Sequence, residues 1–336
     1  MWLMNCETRG RALNGSRGGW NIRVPSSSEE GEMRIVFISI LSQVFVMFVC
    51  MAFGYVGYKS NKISNNTVKE ISGVSMNYCL PISLALSFSE HFSQDRIGDW
   101  ASVLGISGVA LAVVILVSAL LFPKTMEEYE QKRLCSVIPN NAIFGYAIAE
   151  ALYGSEGTFL ISAQILFTSV LLWEYGFVLT SEKPRIKEIL LNPAIIGIAL
   201  GVLMSYLPFA LPKPLLLSMQ KLAGLQSPLG LIIAGCYVAR ANLTECFHDL
   251  SLYKVSFVKL VLAPFLIIPF FFTNVNKMIA MIALVGMCSP TGNGSASFME
   301  LVGKDNRYST NCAALGEVLC VITIPVAFYI AMSIIG

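Results

Sequence analysis

Ten predominantly apolar runs, each near the length of about 20 residues that spans a bilayer as a helix, divide the chain from residue 34 onward. They fall at approximately 34–58, 67–89, 100–122, 134–153, 157–180, 193–211, 216–239, 255–273, 278–301 and 309–334. Backbone polar groups in hydrocarbon must be satisfied within the spanning segment, so runs of this length predict helices. The expected fold class is an all-α polytopic membrane protein with ten transmembrane helices. Residues 1 to 32 lack an apolar core and are polar, Gly/Ser-rich and basic. They read as a disordered, dispensable leader arising from an upstream start.

The charges between runs are unevenly distributed. One alternate set of connections holds Lys59, Lys62 and Lys69; Lys124, Lys132 and Arg133; Lys183, Arg185 and Lys187; Arg240, Lys254 and Lys259; and Lys304 with Arg307. Lys254 and Lys259, at the start of the eighth run, are placed to snorkel outward. The other set holds Arg96, Lys213, Lys221 and Lys277. Positive residues stay cytoplasmic, so both termini are expected outside a cell membrane, most simply a bacterial inner membrane.

Composition narrows the function classes. The chain has 336 residues, 55% hydrophobic and 13% charged, with a net charge of +2. Its mean hydropathy of +0.67 agrees with a bilayer, and so small a net charge gives no nucleic-acid surface. Nine cysteines without a C-x-x-C pair, and His91 and His248 far apart, offer neither a metal site nor a disulfide framework. No run contains an aspartate or a mid-run histidine, so an intramembrane enzyme has no evident catalytic set. No catalytic residue, metal or bound cofactor is therefore expected, and a membrane sensor is the remaining non-carrier reading.

The two halves of the chain echo one another. The second run carries "KEISGVSMNYCLP" and the seventh "KLAGLQSP"; the fourth carries "CSVIPNNAIFGYAIAEALYG" and the ninth "CSPTGNGSASFMELVG". Residues 33–180 and 193–336, joined by the short linker 181–192, thus read as two five-helix units. Five is odd, so the second unit enters the membrane from the opposite side, giving the inverted repeat of secondary transporters. Pro139 and Pro290 each remove a backbone donor and break their helix. Two broken helices crossing near mid-membrane would present half-helix N-termini suited to an anion. Asn140, Asn141 and Asn293, with the hydroxyls of Thr291 and Ser295, are the candidate ligands. The alternative for Asn140 and Asn141 is that they only satisfy the backbone that Pro139 frees. Asn77 and Gln226, just before Pro81 and Pro228, line the same cavity or flank simple kinks. Glu150, Glu174, Glu300 and Glu317 are ionisable groups within runs. Glu150 and Glu300 lie late in their runs and can reach interfacial water. Glu174 and Glu317 have apolar neighbours on both sides, which fits either proton coupling or a neutral, hydrogen-bonded core carboxyl. The G-x-x-x-G of Gly197 and Gly201 marks close helix packing.

"IPNNAIFG" followed by "EALYG", the opening "FGYVGYKSNKISNNTVKEIS" with "NYCLPISLALS", then "SPLGLIIAGCYVAR" and "SPTGNGSASFMELVG" together resemble the auxin efflux carrier family, in order and over most of residues 34–336. The family includes plant auxin exporters of the PIN type and bacterial malate or malonate permeases, and shares its ten-helix inverted-repeat plan with bile acid/sodium symporters. The resemblance implies a carrier of small organic anions, with Pro139 and Pro290 at the crossover and Asn140 at the substrate. It also implies a scaffold of helices one, two, six and seven and a transport unit of helices three to five and eight to ten. Proton or Na⁺ coupling and a homodimer are compatible with it. A sodium-coupled symporter of larger amphipathic anions is the alternative. The linker "SEKPRIKEILLN" departs from the plant carriers, which have a long hydrophilic loop there.

Overall fold

The structure, a computed structural model, describes residues 29–183, 187, 190–207 and 211–335, and among them it is helical without a strand. In chain order the helices are α1 (Glu29–Lys59), α2 (Asn65–Val74), α3 (Leu80–His91), α4 (Ile97–Leu121), α5 (Tyr129–Val137), α6 (Tyr146–Thr180) and α7 (Pro193–Ser205). The second part comprises α8 (Lys213–Ala223), α9 (Gln226–Arg240), α10 (Leu243–His248), α11 (Leu250–Phe257), α12 (Lys277–Cys288), α13 (Gly294–Leu301) and α14 (Arg307–Ile335). Among the described residues, seven helical segments are long and apolar enough to cross a membrane: Ile40–Lys59, Asn65–His91, Ile97–Leu121, Asn141–Thr180, Lys213–Arg240, Leu250–Phe272 and Arg307–Ile334. Pro193–Ser205 and Lys277–Cys288 are shorter apolar helices.

Several boundaries differ from the sequence expectation for identifiable reasons. The leader is expected to be disordered through residue 32, but α1 begins at Glu29. Residues 1–28 and part of the linker 181–192 lie outside the described residues. Pro81 does not break its helix. A wider π turn, Ser75–Cys79, precedes it, and Pro81 falls in the first turn of α3, where its missing N–H is harmless. The same device recurs where the π turn Val258–Leu262 precedes Pro264. The break near Pro228 comes at Gly224 and Leu225, leaving Pro228 in the first turn of α9. Polar caps fix several starts: Ser64 accepts from the Thr67 amide, Asn192 from Ala194 and Asn276 from Met278.

Glycine governs the closest packing. A β-carbon on Gly54 would lie 1.9 Å from the Ile232 carbonyl oxygen, and one on Gly235 equally close to that of Met51, so α1 and α9 touch backbone to backbone. Gly197 and Gly201 do the same for α7 against Pro81, Ala85 and Phe88 of α3, so the G-x-x-x-G lies at a seam within the chain. Helices α4, α6, α12 and α14 pack around the buried segments between them. Large apolar side chains such as Phe45, Phe53, Leu120 and Leu203 point outward, as lipid-facing residues do and as a water-soluble surface would not.

Candidate functional site

Two interruptions meet. Helix α5 ends at Val137 and the chain restarts at the π turn Asn141–Gly145; α12 ends at Cys288 and restarts at α13. Between them Pro139 and Thr291 form an isolated antiparallel bridge. The Asn140 amide donates to the Pro290 carbonyl at 2.8 Å, and the Gly292 amide to the Ile138 carbonyl at 2.9 Å. Each break thus satisfies backbone groups that the other leaves unpaired, which is how irregular backbone persists inside an apolar protein. Thr291 adds a further tie, its hydroxyl donating at 3.0 Å to the Cys135 carbonyl at the end of α5. Both restarting helices point their N-termini, with positive dipole character, at the bridge.

The side chains converge there too. The amide nitrogens of Asn140 and Asn293 both donate to one carboxylate oxygen of Glu317, at 3.4 and 3.0 Å. Glu317, on α14, is fully buried, and its second oxygen has no hydrogen-bond partner. The donors expected to face a bound anion therefore already hold a carboxyl group belonging to the protein. Asn141 turns the other way, its amide 3.5 Å from the side-chain oxygen of Gln164, while its own oxygen stays buried and unpartnered. Gln164 in turn donates to the Ser107 hydroxyl and to the Ala283 carbonyl. Ser295 is buried at the start of α13 with an unpartnered hydroxyl.

Gln226 reaches the same place from α9. Its amide donates to the Ala142 carbonyl at 3.0 Å and its oxygen accepts from the Ser75 hydroxyl at 2.9 Å. The structure therefore gathers Pro139, Asn140, Asn141, Gln226, Pro290, Thr291, Asn293, Ser295 and Glu317. Asn77 and Glu174 stay outside. Asn77 is exposed, because Ser75, two residues earlier, takes the inward face of that turn. Glu174 is exposed on α6 and outside this network, since its apolar neighbours in sequence sit on other faces of the helix.

Sequence reasoning missed Ser75, Ser107 and Gln164, and placed Lys259 wrongly. The helical segment expected to open near residue 255 begins earlier, at Leu250 with α11, so Lys259 lies nine residues further on, about 14 Å along the helix. There it is fully buried instead of snorkelling outward. Beside the crossover, a cavity of about 200 Å³ opens between α2, α9 and α13, lined among others by Tyr58, Lys69, Tyr237, Arg240, Asn293 and Glu300. Lys69 and Glu300 face each other across it at 3.6 Å. Asn293 links this cavity to Glu317.

An all-helical chain with several apolar helices of membrane-crossing length is a multi-pass membrane protein. A family model described as "Membrane transport protein" matches residues 39–189 and 182–328. The chain accordingly belongs to this transporter family, that of the auxin efflux carriers. Comparison with curated proteins gives no match.

Proposed function

We propose that this transporter is a secondary carrier of small organic carboxylates that works by alternating access. One observation carries the reading: the Asn140 and Asn293 amides converge on a single carboxylate oxygen between two half-helix N-termini. A site so built binds a carboxyl group through amide donors and helix N-termini, with no positive side chain in contact with it. Glu317 holds the donors when no substrate is present, and a substrate carboxylate entering past Asn293 takes them over. The neighbouring cavity supplies the approach, with Lys69 and Arg240 favouring an anion.

The proposed architecture is two inverted five-helix units giving ten spans, with both termini outside a cell membrane. The scaffold contains α1, α2–α3, α7 and α8–α9, consistent with the glycine-mediated contacts of α1 with α9 and of α7 with α3. The remaining helices carry the crossover and move against it.

Uptake of radiolabelled dicarboxylates, aromatic acids and amphipathic acids into proteoliposomes tests the reading, guided by a thermal-shift screen of the same compounds. Asn140→Ala should weaken the apparent affinity about 5- to 150-fold, the equivalent of about 1–3 kcal/mol for one lost bond. Unchanged uptake would remove Asn140 from the site, and uptake that requires a Na⁺ gradient would shift the reading to a sodium-coupled symporter.

A further inference from the structure

Lys259 and Glu317 are the two charge-bearing side chains with no exposed surface among the described residues. Glu317 is held by two amides; Lys259 is held by nothing comparable. The residue lies in the π turn Val258–Leu262, a segment that packs against α4, α5, α12 and α14, and its amine has no hydrogen-bond partner. The π turn itself is accounted for by Pro264, but the lysine is not. An apolar residue would fill this place at lower cost, because an unpaired ammonium in an apolar interior is strongly unfavourable. One turn earlier on the same face, Ser256 is also buried with an unpartnered hydroxyl, so two polar groups line one strip of this helix.

The titratable groups on the surrounding helices are few. Helix α12 carries Lys277 in its first turn and Cys288, the electrostatic neighbour of the amine, at its end. Helix α14 carries Arg307, Tyr308, Cys312, Glu317, Cys320 and Tyr329, and α5 carries Tyr129, Glu130, Lys132, Arg133 and Cys135. Asp99 lies in the first turn of α4. Cys288 stands two residues before Pro290, so the amine lies near the crossover without being bonded to it, within the group of helices that would carry an anion. Moving an uncompensated carboxylate through the membrane interior is costly, and a positive charge travelling in the same group offsets that cost.

We propose that Lys259 is the proton-carrying residue of the transport cycle, binding a proton as a carboxylate enters the crossover and releasing it as the carboxylate leaves. This rests on the carboxylate-carrier reading above. The amine lone pair takes a proton from a water-borne donor, one N–H bond forming as one O–H bond breaks, and the ammonium balances the substrate's charge. On the opposite side of the membrane the proton returns to water. One proton thus accompanies each carboxylate, and Lys259 is the cation that the site otherwise lacks.

The experiment needs no organic anion. Proteoliposomes on a solid-supported membrane are given jumps across neutrality, from about pH 9 to about pH 5. Wild-type protein should give a transient charge displacement that Lys259→Met and Lys259→Gln both lack and Ser256→Ala retains. A wild-type-sized transient in either folded lysine variant would overturn the proposal. If neither variant is monodisperse, wild type and Glu317→Gln decide: a transient that survives in Glu317→Gln supports Lys259. Absence of a wild-type transient, or its loss in Glu317→Gln, rejects it. A lysine with a purely structural role would alter melting temperature without moving this charge signal. Since the jumps contain no carboxylate, a negative result leaves the carrier reading standing; that reading is judged by Asn140→Ala uptake.

Discussion

The backbone amide of Asn140 donates to the carbonyl of Pro290 at 2.8 Å, so the residue beside one helix break closes the backbone of the other. Neither interruption would be tolerable alone, because each proline leaves helical carbonyls without partners in an apolar surrounding. The two breaks form one structural unit, and disturbing either should be felt in both.

Gly292 lies in the bridge between the two segments, its amide donating to the Ile138 carbonyl. A β-carbon there would stand 3.0 Å from the Pro139 carbonyl oxygen, so Gly292→Val should push the segments apart at a cost of about 1–3 kcal/mol. Scanning fluorimetry in detergent should give a clearly lowered melting temperature for Gly292→Val and a smaller drop for Gly292→Ala. A valine variant melting with wild type would mean that the crossover is looser than described.

Glu317 should behave as an acceptor first and a charge second. Glu317→Gln keeps an oxygen for Asn140 and Asn293 and should retain most of the stability. Glu317→Ala strands two amide donors and should cost about 1–3 kcal/mol for each buried one. The comparison is made on melting temperatures of the two variants, and equal losses would assign the importance of Glu317 to its charge instead.

Gly286 makes room for Gln164. A β-carbon at Gly286 would fall 1.2 Å from the Gln164 side-chain oxygen, expelling that side chain and breaking its links to Asn141, Ser107 and Ala283. Gly286→Ala should therefore be strongly destabilising in wild type and much milder in a Gln164→Ala background. A double-mutant cycle measures the coupling, expected at about 0.5–3 kcal/mol; additive losses would refute it.

The α1–α9 contact leaves no space at Gly235, where a β-carbon would lie 1.9 Å from the Met51 carbonyl oxygen. Gly235→Ala should sharply reduce the yield of monodisperse protein on size-exclusion chromatography. Gly105, exposed in α4 with nothing within 4 Å of the added atom, serves as the control, and Gly105→Ala should be neutral or stabilising by up to about 1 kcal/mol.

Much of the site was legible because it rests on local chemistry. Proline removes a backbone donor wherever the chain places it, and the polar residues that follow it in "IPNN" and "SPTGN" announce both breaks before any packing is known, whereas Pro81 and Pro325 leave their helices continuous. Which neighbours face those breaks was not legible. Glu174 and Glu317 have similar apolar surroundings in sequence, yet one points outward from α6 and the other lies fully buried beside the asparagines. Asn77 and Ser75 are two positions apart, close to opposite sides of a helix, and the π turn before Pro81 decides which of them meets Gln226.

The sequence by itself determined that this chain lives in a bilayer, that its helices break at Pro139 and Pro290, and that amides and hydroxyls cluster at those breaks. These follow from hydropathy and backbone chemistry, which each residue carries wherever it goes. Only the tertiary structure decided that the two breaks pair with one another, that Glu317 occupies the asparagine donors, and that Lys259 is sealed inside. Those outcomes depend on the rotation of each helix about its own axis, which is set by contact with distant helices and leaves little trace in the order of residues along the chain.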